Sequence, residues 1–197
     1  MRKFLRIPAL AALAVGATAL PARAQHKATE LTAGVLGLGY TTCSGCNGVL
    51  EVATGGASSG IFSGVGGGSL ALGFYMSPRM AIEPTLAASV LSSSGSSGSS
   101  TTLTILSLGV AVPYYFTGRW GRKGLYLAPR VAYNSFSGTG TSSTSQVAMG
   151  LGLGTKVRLN DMAALRLQAN FDYGLENSNA VATTSFGAFL GLSVFLK

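Results

Sequence analysis

The 197 residues include 14 basic and six acidic side chains, so the formal net charge is +8, and 47% of the residues are hydrophobic. The basic residues do not cluster into the stripe that nucleic-acid binding requires, which excludes nucleic acid as an expected partner. Only 10% of residues are charged, and no stretch beyond residue 25 approaches the roughly 18 consecutive apolar residues of a membrane helix. These features leave a soluble β protein or a transmembrane β-barrel.

The N-terminal stretch MRKFLRIPALAALAVGATALPARAQ predicts a secretory signal peptide over residues 1–24. Three basic residues lie within its first six positions, an apolar run follows, and a small-x-small sequence ends at Ala24, where we expect cleavage. A retained anchor is the alternative. Cleavage removes four basic residues, which leaves ten basic against six acidic residues in 25–197 and a net charge of +4. That length suits one exported domain.

Two cysteines, Cys43 and Cys46, lie in the stretch TTCSGCNG. In an exported protein this spacing predicts a small loop disulfide. A redox-active pair normally opens a helix, whereas the flanking Thr, Ser, Gly and Asn residues favour turns. A zinc site needs about four ligands, and His26 is the only other soft ligand, so we expect no metal site.

Apolar residues alternate with small or polar residues along eight segments, and this period of two predicts β-strands rather than helices. The eight segments are 31–40, 69–76, 80–90, 106–116, 125–134, 147–159, 163–174 and 186–196. In the first segment the alternation changes phase near Val35 and Leu36, which indicates a bulge. Pro84, Pro113 and Pro129 fall within the segments, although proline removes a ladder donor.

The connections between the segments alternate in length. The short ones are 77–79, 117–124 and 160–161, and the longer ones, rich in Ser, Thr, Gly or Asn, are 41–60, 92–102, 137–145 and 176–184. Short turns at one end and long loops at the other are typical of outer-membrane barrels.

The segments GGGSLALGFYMSPRMAIEPTL, GLYLAPRVAYNSFSG and GLGTKVRLNDMAALRLQANFDYG carry a resemblance to the outer-membrane β-barrel domain family. These are the small eight-stranded barrels similar to OmpA and OmpX in architecture, and the resemblance covers 29–197. It implies an all-β, eight-stranded antiparallel up-and-down transmembrane β-barrel over 25–197, located in a bacterial outer membrane. The implied partners are outer-membrane lipid and the barrel-assembly machinery, with an extracellular ligand that the sequence does not identify.

If the apolar residues of each strand face lipid, the other residues face the barrel lumen. Reversing this arrangement would place basic side chains against lipid, and each would destabilise the barrel by about 2–4 kcal/mol near the bilayer midplane. The predicted polar lumen residues are Glu83, Arg130, Lys156, Arg158, Arg166, Gln168, Asn170 and Asp172. An eight-stranded barrel is just wide enough for side chains to fill, so these charges must pair or stay hydrated. We expect a plug of ion pairs with Glu83 as a central acid; the alternative is a narrow anion-preferring passage.

Several aromatic residues lie near the strand ends on the apolar face, where an interfacial aromatic girdle is expected. They are Tyr40, Tyr114, Phe116, Tyr133, Phe171, Tyr173 and Phe186. Ordinary β-rich composition is the alternative explanation.

No catalytic residues and no cofactor are predicted. A serine nucleophile needs a base within hydrogen-bond reach, and the single histidine, His26, lies at the expected mature N-terminus. The glycine-rich stretches 64–69 and 150–154 lack the following helix or lysine of a nucleotide site, so we expect their glycines to make room in the lumen. The favoured function is a non-enzymatic structural or surface-interaction role. Passage or capture of a small anionic or hydrophobic solute, as in barrels resembling OmpW, and a secreted soluble barrel of lipocalin type are the alternatives.

Overall fold

The computed structural model describes residues 29–43, 45, 48–54, 68–94, 100–116, 123–138 and 141–196. Within these ranges the chain forms strands and turns, and no helix there is long and apolar enough to cross a membrane. The predicted signal peptide and its cleavage site lie outside the described residues and stay a prediction.

Ten β-strands make up the described structure. They are β1 (Thr29–Cys43), β2 (Val49–Thr54), β3 (Gly68–Ser77), β4 (Met80–Ser94), β5 (Ser100–Ala111), β6 (Tyr114–Tyr115), β7 (Lys123–Gly138), β8 (Thr141–Arg158), β9 (Ala163–Gly174) and β10 (Thr183–Leu196).

The ten strands fill eight positions around one closed sheet, because two positions are each shared by two strands. β2 pairs with β1 along Leu36–Thr41, and β3 pairs with β1 along Thr29–Ala33. β5 and β6 both pair with β4 and β7, and Val112 and Pro113 separate them. β1 pairs antiparallel with β10 along its whole length, which closes the sheet. The predicted eight-stranded antiparallel barrel is confirmed.

The register of β1 shifts between Gly34 and Leu36, which confirms the bulge predicted from the change of phase. Pro113 lies in the interruption between β5 and β6, where its missing N–H costs no ladder bond.

Three predicted loops are wrong in extent, because polar segments continue the strands beyond the apolar zone. The predicted loop 41–60 contains β2, and strand residues form both ends of the predicted loop 92–102. Most of the predicted loop 137–145 is also strand, since β7 ends at Gly138 and β8 begins at Thr141. Thr and Ser adopt strand conformation readily when a neighbouring strand supplies hydrogen-bond partners, so composition alone does not mark where a ladder stops.

The two ends of the barrel differ. The turn end is defined by the turns at Pro78–Arg79 and Asn160–Met162, together with the start of β1 and the end of β10. At the opposite end, called the loop end, β1, β4, β7 and β9 end and β2, β5, β8 and β10 begin. Along β9 the side chains alternate strictly between buried and exposed, with Arg166, Gln168 and Asp172 turned inward. This facing contradicts the lipocalin-type interpretation, which required the apolar residues to point inward.

Candidate functional site

Seven of the eight predicted polar lumen residues point into the barrel interior. They are Glu83, Arg130, Lys156, Arg166, Gln168, Asn170 and Asp172. Each has the inward phase of its strand, so the alternation of the strand places it inside. Inside a narrow barrel these groups lose water and must find partners among themselves.

Glu83 on β4 is the acid that joins two basic residues from the far side of the lumen. Its Oε2 atom lies 2.7 Å from Nη1 of Arg166 on β9, and its Oε1 atom lies 3.6 Å from Nζ of Lys156 on β8. All three side chains are buried. The pairing predicted for Glu83 therefore has a direct geometric basis.

Lys156 lies at the centre of the contacts near the turn end. Its Nζ atom donates to Oε2 of Glu30 at 2.6 Å, to Oη of Tyr115 at 2.7 Å and to Oη of Tyr75 at 3.2 Å. The hydroxyl of Tyr75 donates in turn to Glu30. The ammonium group also lies 5.3 Å from the ring centroid of Tyr115 and 5.9 Å from that of Tyr126, within cation–π range.

Arg166 extends the same set of contacts to β7 and along β9. Its Nε atom donates to Oη of Tyr126 at 2.7 Å, and its Nη2 atom donates to Oε1 of Gln168 at 2.7 Å. Tyr126 donates to the same oxygen of Gln168 at 2.7 Å, and Gln168 donates onward to Oδ1 of Asn170 at 2.6 Å. The guanidinium group thus meets one carboxylate and two neutral acceptors.

We call these contacts the turn-end network and define it by its eight residues. They are Glu30, Tyr75, Glu83, Tyr115, Tyr126, Lys156, Arg166 and Gln168. They come from seven of the eight barrel positions, and Thr32 brings in the eighth, because its Oγ1 donates to Glu30 and lies 2.8 Å from Oγ of Ser193 on β10. Together with Thr32 and Ser193, the network therefore links all eight positions of the barrel through side chains inside the lumen.

A second ion pair lies nearer the loop end. Arg130 on β7 binds Asp172 on β9 in a bidentate manner, with Nε 2.7 Å from Oδ1 and Nη2 in contact with Oδ2. Planar Arg–carboxylate pairs of this kind are geometrically specific and comparatively strong. The pair spans β8, which lies between the two strands.

Glycines on β8 make room for the long side chains of the neighbouring strands. A Cβ atom on Gly150 would lie 1.8 Å from Oδ1 of Asp172, and one on Gly154 would lie 2.3 Å from Oη of Tyr126. A Cβ atom on Gly152 would lie 2.6 Å from Nε2 of Gln168. The glycines of the stretch GLGLG thus leave space for three inward side chains, those of Asp172, Gln168 and Tyr126.

The prediction for Arg158 is wrong, because this residue does not join the lumen network. Its guanidinium donates to the main-chain oxygens of Asn160 at 2.8 Å and Asp161 at 3.0 Å, and pairs with the Asp161 carboxylate at 3.1 Å. Its side chain remains 30% exposed. Arg158 has the inward phase but lies at the rim, where the nearby turn offers partners and water remains accessible.

Glu30 and the three tyrosines of the network are not among the predicted lumen residues. Glu30 lies just before the first predicted segment, although it alternates with Leu31 in the same way as Thr32. Tyr75, Tyr115 and Tyr126 have the inward phase of their strands, and that phase is the signal that finds them.

The charges inside the barrel balance once Glu30 is included. Among the side chains that the structure describes, three acids and three bases form the buried ion pairs: Glu30, Glu83 and Asp172 with Arg130, Lys156 and Arg166. No group of three or more His, Cys, Asp and Glu residues in the described ranges could hold a metal ion. The arrangement suits a neutral, cross-linked plug rather than a surplus of positive charge.

The seven predicted girdle residues all lie on the outer face, with exposed fractions from 41% to 52%. Tyr114 and Phe116 lie near the turn end, and the ring centroids of Phe171 and Phe186 are 4.9 Å apart on adjacent strands. Cys43 ends β1, whereas Cys46 lies outside the described residues, so the loop disulfide stays a prediction.

Comparisons with known proteins agree with this geometry. The sequence model of the family described as "Outer membrane protein beta-barrel domain" matches residues 10–193. Neisserial surface protein A superimposes with a TM-score of 0.64 at 13% identity, covering 87% of this chain and 100% of that chain. A major outer membrane protein from Thermus thermophilus gives a TM-score of 0.56 at 13% identity, with the same 87% and 100% coverage.

Ail, the attachment invasion locus protein of Yersinia pestis, gives a TM-score of 0.51 at 11% identity, with 87% of this chain and 100% of that chain covered. At these identities the likeness is one of fold alone. No curated protein matches the sequence.

Proposed function

Because the chain belongs to the family of outer membrane protein β-barrel domains, we propose that it is a structural, surface-exposed barrel of the bacterial outer membrane. In this proposal the signal peptide 1–24 directs export, the barrel-assembly machinery inserts the chain, and the loop end faces the exterior of the cell. The protein is not an enzyme, and its contribution is a stable membrane anchor that presents loops for surface interactions.

The observation that carries this proposal is the turn-end network, whose residues come from seven of the eight barrel positions and reach the eighth through Thr32 and Ser193. A conducting pore needs a continuous hydrated path, whereas here Lys156, Arg166 and three tyrosines occupy the cross-section near the turn end. An eight-stranded barrel has an interior that side chains can fill. Closure of the lumen supports an anchoring role over a transport role.

Liposome swelling tests the proposal. Proteoliposomes in an isotonic solution of a small neutral sugar should swell no faster than protein-free liposomes, because the filled lumen blocks the sugar. Swelling that accelerates with the amount of folded protein would contradict the closed lumen and with it the anchoring role.

Binding of a small apolar solute is the second candidate function, and it requires space in the lumen beyond the turn-end network. The anionic form loses its basis, because the predicted surplus of two lumen bases disappears: Glu30 adds one acid, and Arg158 pairs with Asp161 at the rim.

A further inference from the structure

Three inward side chains in the half of the barrel toward the loop end have buried polar atoms without a hydrogen-bond partner. They are Thr41 on β1, Asn134 on β7 and Ser185 on β10, and we call them the loop-half cluster. The unpaired atoms are Oγ1 of Thr41, Oδ1 and Nδ2 of Asn134 and Oγ of Ser185. Asn134 and Ser185 are 0% exposed. Folded proteins rarely leave such groups unpaired, so each of them indicates water or a bound molecule as its partner.

Two neighbouring polar side chains that could serve as partners are engaged elsewhere. Gln146, the ladder partner of Asn134 on β8, donates to main-chain oxygens of the connection between β9 and β10. Asp172, the ladder partner of Ser185 on β9, is bound by Arg130 through both carboxylate oxygens. The cluster therefore keeps free donors and acceptors although it lies beside other polar groups.

The three residues of the cluster lie at nearly the same depth in the lumen. One ladder row crosses from β1 to β7 through Thr41, Ser185, Asp172, Gly150 and Arg130. The row continues to Glu83 of the turn-end network, so it descends toward that end, by about 12 Å over four strand spacings at a tilt of roughly 40°. Asn134 lies four residues beyond Arg130 on β7, which raises it again by about 10 Å. Because β7 lies opposite β1 in the closed sheet, Asn134 faces Thr41 across the lumen.

Small inward side chains surround Asn134, in contrast to the long ones of the turn-end network. Ser107 is its ladder partner on β5, and the inward pair of Ala132 and Ala148 follows on β7 and β8. At the turn end the barrel carries a lysine, an arginine, a glutamine, two glutamates and three tyrosines in the same position. An eight-stranded barrel is just wide enough for side chains to fill, so the loop half accommodates a guest molecule more readily than the turn end.

We propose that Thr41, Asn134 and Ser185 bind a small uncharged polyol inside the lumen. A hydroxyl group both donates and accepts, so a molecule with several hydroxyl groups can satisfy an amide and two hydroxyls together. Arg130 and Asp172 beside the cluster neutralise each other, so the site does not select an ion. The unpaired groups favour this polar guest over the apolar solute of the second candidate function. The turn-end network fills the lumen on the other side, so the polyol enters from the loop end.

Side-chain amide NMR of the folded protein in lipid nanodiscs, titrated with glycerol, tests the site. The resonances of the Asn134 side chain are assigned from their absence in Asn134→Val. They should shift along a saturable curve as glycerol is added, because its hydroxyl groups bind the amide. The side-chain amide of Gln168 is bonded within the turn-end network and should not follow that curve.

A matched pair of variants connects the binding to the cluster. Ser185→Ala removes one unpaired hydroxyl and should weaken the glycerol affinity several-fold in the same titration of Asn134. Ser145→Ala removes a hydroxyl from the outward face of β8 and should leave the affinity unchanged. Ser185→Ala should keep the fold, because its hydroxyl has no hydrogen bond to lose, and heat-modifiable gel mobility verifies that both variants are folded.

Three results would overturn the polyol site. They are Asn134 resonances that contact water but do not respond to glycerol, a linear shift that Gln168 shares equally, and an unchanged glycerol affinity in Ser185→Ala. Liposome swelling with the same protein preparation reports separately on the closed turn end. Failure of the anchoring proposal is thereby distinguished from failure of the polyol site.

Discussion

The Nη1 atom of Arg166 lies 2.7 Å from Oε2 of Glu83, so the guanidinium on β9 and the carboxylate on β4 meet across the barrel lumen. Both side chains are buried, at 4% and 1% exposure of the residue. Removing one member of such a pair leaves an uncompensated charge in a site of low polarity, which costs far more than the net contribution of the intact pair.

Glu83→Gln should therefore destabilise the barrel by about 3 kcal/mol, since Arg166 loses its carboxylate and Lys156 loses a nearby negative charge. The measurement is urea-induced unfolding in phospholipid vesicles, followed by the shift in gel mobility between folded and unfolded forms. Asp161→Asn is the matched control, because the Asp161 side chain is 92% exposed. An unchanged unfolding midpoint in Glu83→Gln would remove the pairing role assigned to this acid.

Lys156 and Glu30 should be strongly coupled. Lys156→Met leaves two carboxylates facing each other, and Glu30→Gln leaves the ammonium with one acid fewer, so each single variant should be less stable than the parent. The loss of unfolding free energy in the double variant should be smaller than the sum of the two single losses by about 1–3 kcal/mol, as expected for groups in direct contact. Additive effects in the same unfolding assay would mean that the 2.6 Å contact contributes nothing specific.

The turn pair of Arg158 and Asp161 should behave in the opposite way. Arg158→Ala is expected to change the free energy of unfolding by less than about 1 kcal/mol, because the pair is open to solvent and screened by salt. A loss as large as that of Glu83→Gln would place Arg158 functionally inside the network after all. Comparing these two variants in one assay shows whether a buried charge contributes more to the free energy of unfolding than a charge at the rim.

Gly154→Ala should destabilise the barrel by about 1–3 kcal/mol through overpacking, because its new methyl group would collide with the Tyr126 phenol. Gly124→Ala is a milder control on the neighbouring strand, where the nearest atom, on Tyr115, lies 3.3 Å from the added Cβ. Unfolding midpoints of the two variants give the comparison. Equal stability of the two variants would show that the packing of Tyr126 does not require a glycine at position 154.

Strand alternation was sufficient to predict the architecture and the inward direction of Lys156, Arg166 and Asp172. It could not predict which partners an inward side chain takes; Arg158 lies two residues before the turn at 160–161 and pairs there with Asp161 instead of joining the network. Alternation also places Tyr126 inside the barrel, but it could not predict that Tyr126 contacts Arg166 and Gln168. The partners of Lys156 come from distant parts of the chain, and only the closed register brings them together.

The lengths of the strands could not be predicted from the alternation either. Residues 141–145 read as loop by composition, yet they are strand, because β7 supplies ladder partners for them. Alternation fades where the barrel leaves the apolar zone, since both faces of the strand can then be polar. Hydrogen bonding between strands continues beyond the point at which the pattern stops.

Planar-bilayer recording of the folded wild-type protein shows whether the charge-balanced turn-end network closes the lumen to ions. We expect no conductance after insertion, and heat-modifiable gel mobility of the same protein preparation verifies independently that the barrel is folded. Reproducible ohmic conductance steps from the wild-type protein would contradict it, because ions would then be crossing a section that Lys156, Arg166 and the three tyrosines are held to fill.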